Sequence, residues 1–188
     1  MKKHLLLSIL TVLTVTPLMA NDEDRLRDAR ATAAAVPPKL LAVLSAQIAE
    51  GGHASAIAVC QEKAPQMAKA ASEKSGWSIR RVSLRNRNPK AVPDTWERAA
   101  LQEFDRRAAA GESPAKLEQW AVVETDGRKE FRYIKALPVQ ALCLNCHGTS
   151  DKIPADVATQ LQSRYPADQG TGYTVGQIRG AITMRKPQ

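Results

Sequence analysis

Cys143, Leu144, Asn145, Cys146 and His147 run consecutively, reading C-x-x-C-H, with Gly148 directly after. Two thiols three positions apart, with an imidazole behind the second, match what covalent haem attachment requires. Each cysteine closes a thioether on a haem vinyl group, and the adjacent histidine comes to lie beneath the iron as an axial ligand. A chain that carries such a group must fold around a large, flat, rigid body, so much of the remaining sequence is expected to form a pocket. Three fixed positions in five also arise by chance, so the compartment matters to the reading.

The start of the chain speaks to compartment. Lys2 and Lys3 form a basic region, Leu5 to Val15 an apolar stretch too short to span a bilayer comfortably, and Pro17-Leu18-Met19-Ala20 ends on a small residue before the acidic run Asn21-Asp22-Glu23-Asp24. This predicts a signal peptide over residues 1–20, cleaved after Ala20, and a single domain over 21–188 with no stable membrane span once the leader is removed. An uncleaved anchor is the alternative, because Leu18 is large for its place before the cleavage point. Export suits the motif, since haem is attached to C-x-x-C-H in exported proteins, and the periplasm is the expected location. The formal charge of +8 falls to +6 when Lys2 and Lys3 leave. A basic surface outside the cytoplasm points to an acidic redox partner or a membrane surface and away from nucleic acid. Aromatic residues make up only 4% while alanine is plentiful. A porphyrin can supply the missing flat apolar body, although an alanine-rich helical protein without a cofactor has the same composition.

Down the chain, Leu40, Leu41, Val43, Leu44 and Ile48 are spaced for one buried helical face within 22–50, with an interruption expected at Pro37-Pro38 and a stop at Gly51-Gly52. A second helix is expected from near His53 to Lys74, kinked or restarted at Pro65. Trp77 to Leu84 has strand character, and the stretch from Arg85 to Pro93, with two prolines and two asparagines, is a long loop. Asp94 followed by Glu97 reads as a capping box opening a helix from Thr95 to Ala110, ended by Gly111. Asp126-Gly127, between Glu118–Thr125 and Arg128–Leu137, is a tight hairpin turn. A helix over 153–164 and a last strand over 175–184 complete an α+β domain, with long N-terminal helices packed on a small antiparallel sheet.

The motif uses two cysteines, which leaves Cys60 alone in Ala56-Ile57-Ala58-Val59-Cys60. An unpaired cysteine among alanine and valine is ordinarily a small buried apolar residue. An attached haem also needs a sixth ligand or an open site, and the candidates are Cys60, His53, Met67 and Met184. A free thiol in an exported protein is open to oxidation unless something holds it, and a metal does. His53, Cys60 and Met67 are seven apart and share one face of an unbroken helix. Seven residues span roughly 10 Å of helix rise, so they cannot all serve one iron.

Four separated stretches together resemble a known family: Ala58-Val59-Cys60-Gln61-Glu62-Lys63-Ala64-Pro65; Ser83-Leu84-Arg85-Asn86-Arg87-Asn88-Pro89 with Pro93-Asp94-Thr95-Trp96-Glu97; Cys143-Leu144-Asn145-Cys146-His147-Gly148; and Gly172-Tyr173-Thr174-Val175-Gly176-Gln177-Ile178-Arg179-Gly180-Ala181. In this order they look like the exported single-haem c-type domains with a PAS-like fold, over about 24–184. The resemblance implies one covalent haem c with His147 on one side of the iron and Cys60 on the other. Members are often fused to kinase or chemoreceptor parts, and none is read in this sequence.

Arg80, Arg81, Arg85, Arg87 and Lys90 fall within eleven residues that contain no acid. Such a run is commonly a solvated face. Its functional reading is that Arg85 or Arg87 pairs with a haem propionate, because a forked guanidinium suits a carboxylate. Tyr133, beside the attachment segment, is a further candidate donor to the cofactor, and Trp96 is expected in the core.

The expected function is a mono-haem c-type cytochrome that transfers single electrons or senses redox state. With protein on both axial positions, chemistry on a bound substrate is disfavoured, so an enzyme is not expected. A gas sensor with a labile Cys60 is the alternative. A thiol oxidoreductase using Cys143 and Cys146 calls for C-x-x-C at the start of a helix, and the next helix is expected only near 153. Structural zinc on Cys60, Cys143, Cys146 and a histidine is chemically permissible but lacks a second C-x-x-C.

Overall fold

The computed structural model describes residues 17–188. The expected leader lies outside the described residues except for its last turn, which opens the first helix, α1, over Pro17–Ala58. Pro37 and Pro38 do not interrupt this helix. Proline's fixed φ suits the helix, which continues although Pro37 and Pro38 leave the carbonyls of Ala33 and Ala34 without their usual amide donors. The break comes at Gly52, where φ is 75° and ψ 178°, a conformation open in practice to glycine alone. The chain reverses there, and Ala71 returns to pack beside Leu26, Ala29, Ala33 and Val36.

The returning limb is helical to Ser75 but not uniform. A π turn over Val59–Lys63, in which the Ala64 amide reaches back to the Val59 carbonyl, precedes α2, Ala64–Ser75. The turn sits where Pro65, in the first turn of α2, would otherwise press its ring on the preceding carbonyls. It carries Cys60. An extra residue in the turn also rotates His53 and Met67 off a common face, so the alignment expected from their sevenfold spacing does not hold.

Four strands form one antiparallel sheet in the order β1-β4-β3-β2: Ser78–Val82, Glu118–Thr125, Arg128–Pro138 and Ile178–Pro187 for β1 to β4. The Asp126-Gly127 hairpin pairs Thr125 with Arg128, and Asp126 takes a positive φ. Helix α3, Thr95–Ala109, starts on the expected capping box. The last strand begins three residues later than expected, because Gly176, at φ 88°, turns the chain first and the Gln177 side chain accepts from the Thr174 amide.

Alternation along the strands gives the sheet two covered faces. Ile79, Phe131, Tyr133, Ile182 and Met184 face the helical hairpin with Trp77, Ala29 and Ala33. Val82, Ile134, Ala136 and Ala181 face α3 through Leu101 and Phe104. Within 21–75 one window, of mean hydropathy 1.3, is long and apolar enough by composition to cross a membrane, and almost none of it is buried. Its helix is nevertheless tied to the domain through Ala29 and Ala33 on one limb and Ile57 on the other.

Candidate functional site

After β3 the chain enters a single 3-10 turn, Ala141–Cys143, then a short helix, α4, over Leu144–His147. The sequence gives no periodicity to four residues, and this helix was not expected. The turn and helix place Cys143 and Cys146 about one helical turn apart, both half-buried and both free thiols. Helix α5, Ala155–Arg164, follows. Its Val157 and Leu161 join Ile57, Tyr165, Ile153 and Cys146 in one apolar cluster, which packs the limb bearing Cys60 against the segment bearing the motif. Arg164 Nη1 donates to Gln61 Oε1 at 2.6 Å across the same contact.

Three segments distant in sequence are tied together at His147. The Tyr173 amide donates to the His147 carbonyl at 2.9 Å, and the Gly172 amide to that of Gly148 at 2.6 Å. Arg87 is buried; its Nε meets Asp168 Oδ2 at 2.9 Å, and its Nη2 donates to the carbonyls of Cys146 at 2.5 Å and Gly170 at 3.5 Å. Arg179 is also buried, with Nη1 donating to Ser83 Oγ at 2.9 Å and to the Arg85 carbonyl at 3.0 Å. A Cβ on Gly170 would overlap the Arg179 guanidinium, which would have to shift to admit it.

His147 Nδ1 lies 2.6 Å from the Gly170 carbonyl oxygen and 3.1 Å from Arg179 Nε. The two cannot both be hydrogen bonds, since one needs a proton on Nδ1 and the other a lone pair. The shorter contact is to an acceptor, so Nδ1 carries the proton and Nε2 keeps a lone pair for a metal. Burial, then the positive charges of Arg179 and Arg87, push the His147 pKa well below 6.5. The imidazole is neutral, as a ligand must be.

Burial also raises the Cys60 thiol, against the opposing charges of Arg81, Arg87 and Arg179. Cys60 stands close enough to Cys143 and Cys146 for their charges to act on it. The apolar cluster and the Arg164–Gln61 bond thus set the limb that carries Cys60 against the segment that carries Cys143, Cys146 and His147. Among the described residues no three His, Cys, Asp or Glu side chains gather closely enough to hold one metal ion. A zinc tetrahedron on these four would need that. An iron bound by one nitrogen and one sulfur, with the other two sulfurs at the edge of a macrocycle, would not.

Arg87 meets Asp168 and two carbonyls instead of standing free for a propionate, and exposed Arg85 donates to the Thr171 carbonyl and lies over the Tyr173 ring at 4.3 Å. Tyr133 sits elsewhere, its hydroxyl donating to Glu118 Oε2 at 2.7 Å while Arg30 holds the other carboxylate oxygen. Trp96 packs against the core beneath Arg132, as expected. Arg179, Asp168 and Gly170 were not singled out from the sequence as site residues. Arg179 fell inside a stretch that carried the resemblance, whereas nothing local marks Asp168. A cavity of about 470 Å³ opens beside the cluster between Leu84, Leu101 and Tyr173, and none of the cysteines lines it.

A family model described as Tll0287-like matches residues 11–187. A search of curated proteins finds no match. Among solved structures the chain is similar to the crystal structure of the cyanobacterial haem protein Tll0287, at 30% identity and a TM-score of 0.54, over 67% of this chain and 70% of that one. With a family match over nearly the whole sequence and a solved relative of the same kind, the chain belongs to the Tll0287-like family.

Proposed function

We propose that the chain is an exported c-type haem protein with a PAS-like domain, and that it transfers single electrons or senses redox state. Cys143 and Cys146 would hold one haem covalently, and His147 Nε2 and the Cys60 thiolate would be the protein ligands of its iron. The observation that carries this reading is the packing of the limb that bears Cys60, in the π turn, against a motif whose imidazole already has Nδ1 engaged and Nε2 free. Membership of a family with a haem protein among its solved structures supports it. The bound haem supplies a one-electron couple, and the chain sets its conditions.

Cys60 contributes as thiolate the one negative charge that, with the two of a porphyrin, balances ferric iron. The oxidised site is then buried at little electrostatic cost, and reduction leaves one uncompensated negative charge. Cys60 thus holds the potential low. Replacing it tests the reading: Cys60→Ala raises the midpoint potential and abolishes the thiolate charge-transfer absorption, and an unchanged spectrum removes Cys60 from the site.

A second reading, a gas sensor, draws on the raised affinity of the buried Cys60 thiol for its proton. In that reading a diatomic gas would take the place of Cys60, and carbon monoxide binding to the reduced protein separates sensor from carrier. For a thiol oxidoreductase the short helix after Cys143 now offers a helix start, but burial pushes the Cys146 thiol up to about 11, opposite to the activation such chemistry needs. A periplasmic location and an acidic redox partner complete the proposal, on the strength of the leader and of the positive charge.

A further inference from the structure

The cavity of about 470 Å³ beside α3 is lined by neither His147 nor any cysteine, and the haem reading makes no use of it. Its size falls within the range of about 300–1,000 Å³ usual for small-molecule pockets. Part of its lining is apolar: Leu101 and Ile178 are buried, with Leu84 and Ala108 packed beside them. Two charges of opposite sign also line it, and they do not pair with each other. The Arg85 guanidinium lies 4.3 Å from the centre of the Tyr173 ring and gives one N–H group to the Thr171 carbonyl. A guanidinium carries five such donors, and among the described residues no carboxylate takes those of Arg85. Asp105 stands between Leu101 and Ala108 on one face of α3, at spacings of four and three, so an acid interrupts an otherwise apolar helical face. It is exposed, no cation among the described residues pairs with it, and the desolvation that raises its carboxyl from 3.8 is opposed by no positive charge. Backbone bonds hold this lining in place. The Tyr173 amide donates to the His147 carbonyl and the Gly176 amide to that of Val139, both at 2.9 Å, and the Arg85 carbonyl accepts from Arg179 at 3.0 Å.

We propose that this cavity binds a small zwitterion with an apolar side chain, of the amino-acid class, with its carboxylate on Arg85, its ammonium on Asp105 and its side chain against Leu101 and Ile178. A simple carboxylate would answer Arg85 but bring a like charge toward Asp105, and a simple amine would do the reverse. A ligand that carries both charges satisfies both walls. Gln177 also lines the cavity; its Oε1 is taken by the Thr174 amide, which leaves its side-chain N–H groups for the ligand carboxylate. Because the walls are tied by backbone bonds, little ordering opposes binding. The proposal stands apart from the haem reading, since none of the residues it uses belongs to the C-x-x-C-H motif or is Cys60.

The test is calorimetric titration of the purified full chain with leucine, with isocaproate, which is leucine without its amine, and with isoamylamine, which is leucine without its carboxylate. Wild type, Asp105→Asn, Arg85→Gln and the surface control Glu124→Gln are compared. Leucine binds the wild type more tightly than about 1 mM, and each analogue binds about tenfold more weakly or worse. Asp105→Asn weakens leucine about tenfold and spares isocaproate, Arg85→Gln weakens leucine likewise and spares isoamylamine, and Glu124→Gln matches the wild type. If Arg85→Gln does not fold, Asp105→Asn, a change of equal size at an exposed position, decides the matter alone. Three results overturn the proposal: no saturable binding tighter than about 1 mM for leucine, valine and phenylalanine alike; leucine binding that Asp105→Asn leaves intact; or isocaproate or isoamylamine held as tightly as leucine by the wild type.

Discussion

At the scale of single residues, the site is built by side chains whose partners lie far off in sequence. Arg87 meets Asp168 eighty-one positions away, and Arg179 reaches Ser83 across ninety-six. The density of arginines in 80–90 was visible from the sequence, but which of them would be buried depends on where 165–173 folds back, and no local pattern encodes that. Tyr133, ten positions before Cys143, lies in the hairpin-facing core and donates to the Glu118 carboxylate that Arg30 pairs with. Tyr133→Phe is expected to remove one hydrogen bond at about 1 kcal/mol, measured by urea denaturation, while leaving the haem absorption unchanged. An altered spectrum would return this tyrosine to the cofactor.

Elements record the sequence more faithfully where a short motif decides them. The Asp126-Gly127 turn set the register of β2 against β3, and the Asp94–Glu97 box set the start of α3. The Asp94 carboxyl is raised by burial but lowered more by the Glu97 amide and the Arg132 guanidinium, and ends below its usual 3.8. A carboxyl held low in the fold stabilises while ionised: its contribution is whole above that value and fades as the pH falls through the lower folded one. Asp94→Asn keeps the cap and loses the charge. The stability gap between it and the wild type therefore narrows on acidification below 3.8, whereas a gap constant with pH would mean that the charge contributes nothing. Gly52 decides the reversal of the hairpin. Gly52→Ala is expected to cost about 1–3 kcal/mol by chemical denaturation, and a change within about 0.5 kcal/mol, typical of neutral surface positions, would contradict that account.

Across the whole molecule, a helical hairpin, a sheet and α3 are layered so that two segments far apart in the sequence pack together. Cys60 arrives from the hairpin, and Cys143 to His147 arrive from the far end of β3. The α+β class was legible because hydrophobic period and turn residues are local signals. The continuity of α1 through Pro37-Pro38, the four-residue helix behind Cys143 and the π turn at Cys60 were not, because each follows from packing that spans the chain. The central claim is a covalent link between haem and Cys143 and Cys146. It is tested most directly by expressing the protein beside haem-attachment machinery, unfolding it, and extracting with acidified organic solvent before recording the absorption of the polypeptide. The account predicts that the colour stays with the chain and is lost in a Cys143→Ala, Cys146→Ala double variant; a colourless polypeptide, or colour that passes into the solvent, would contradict it.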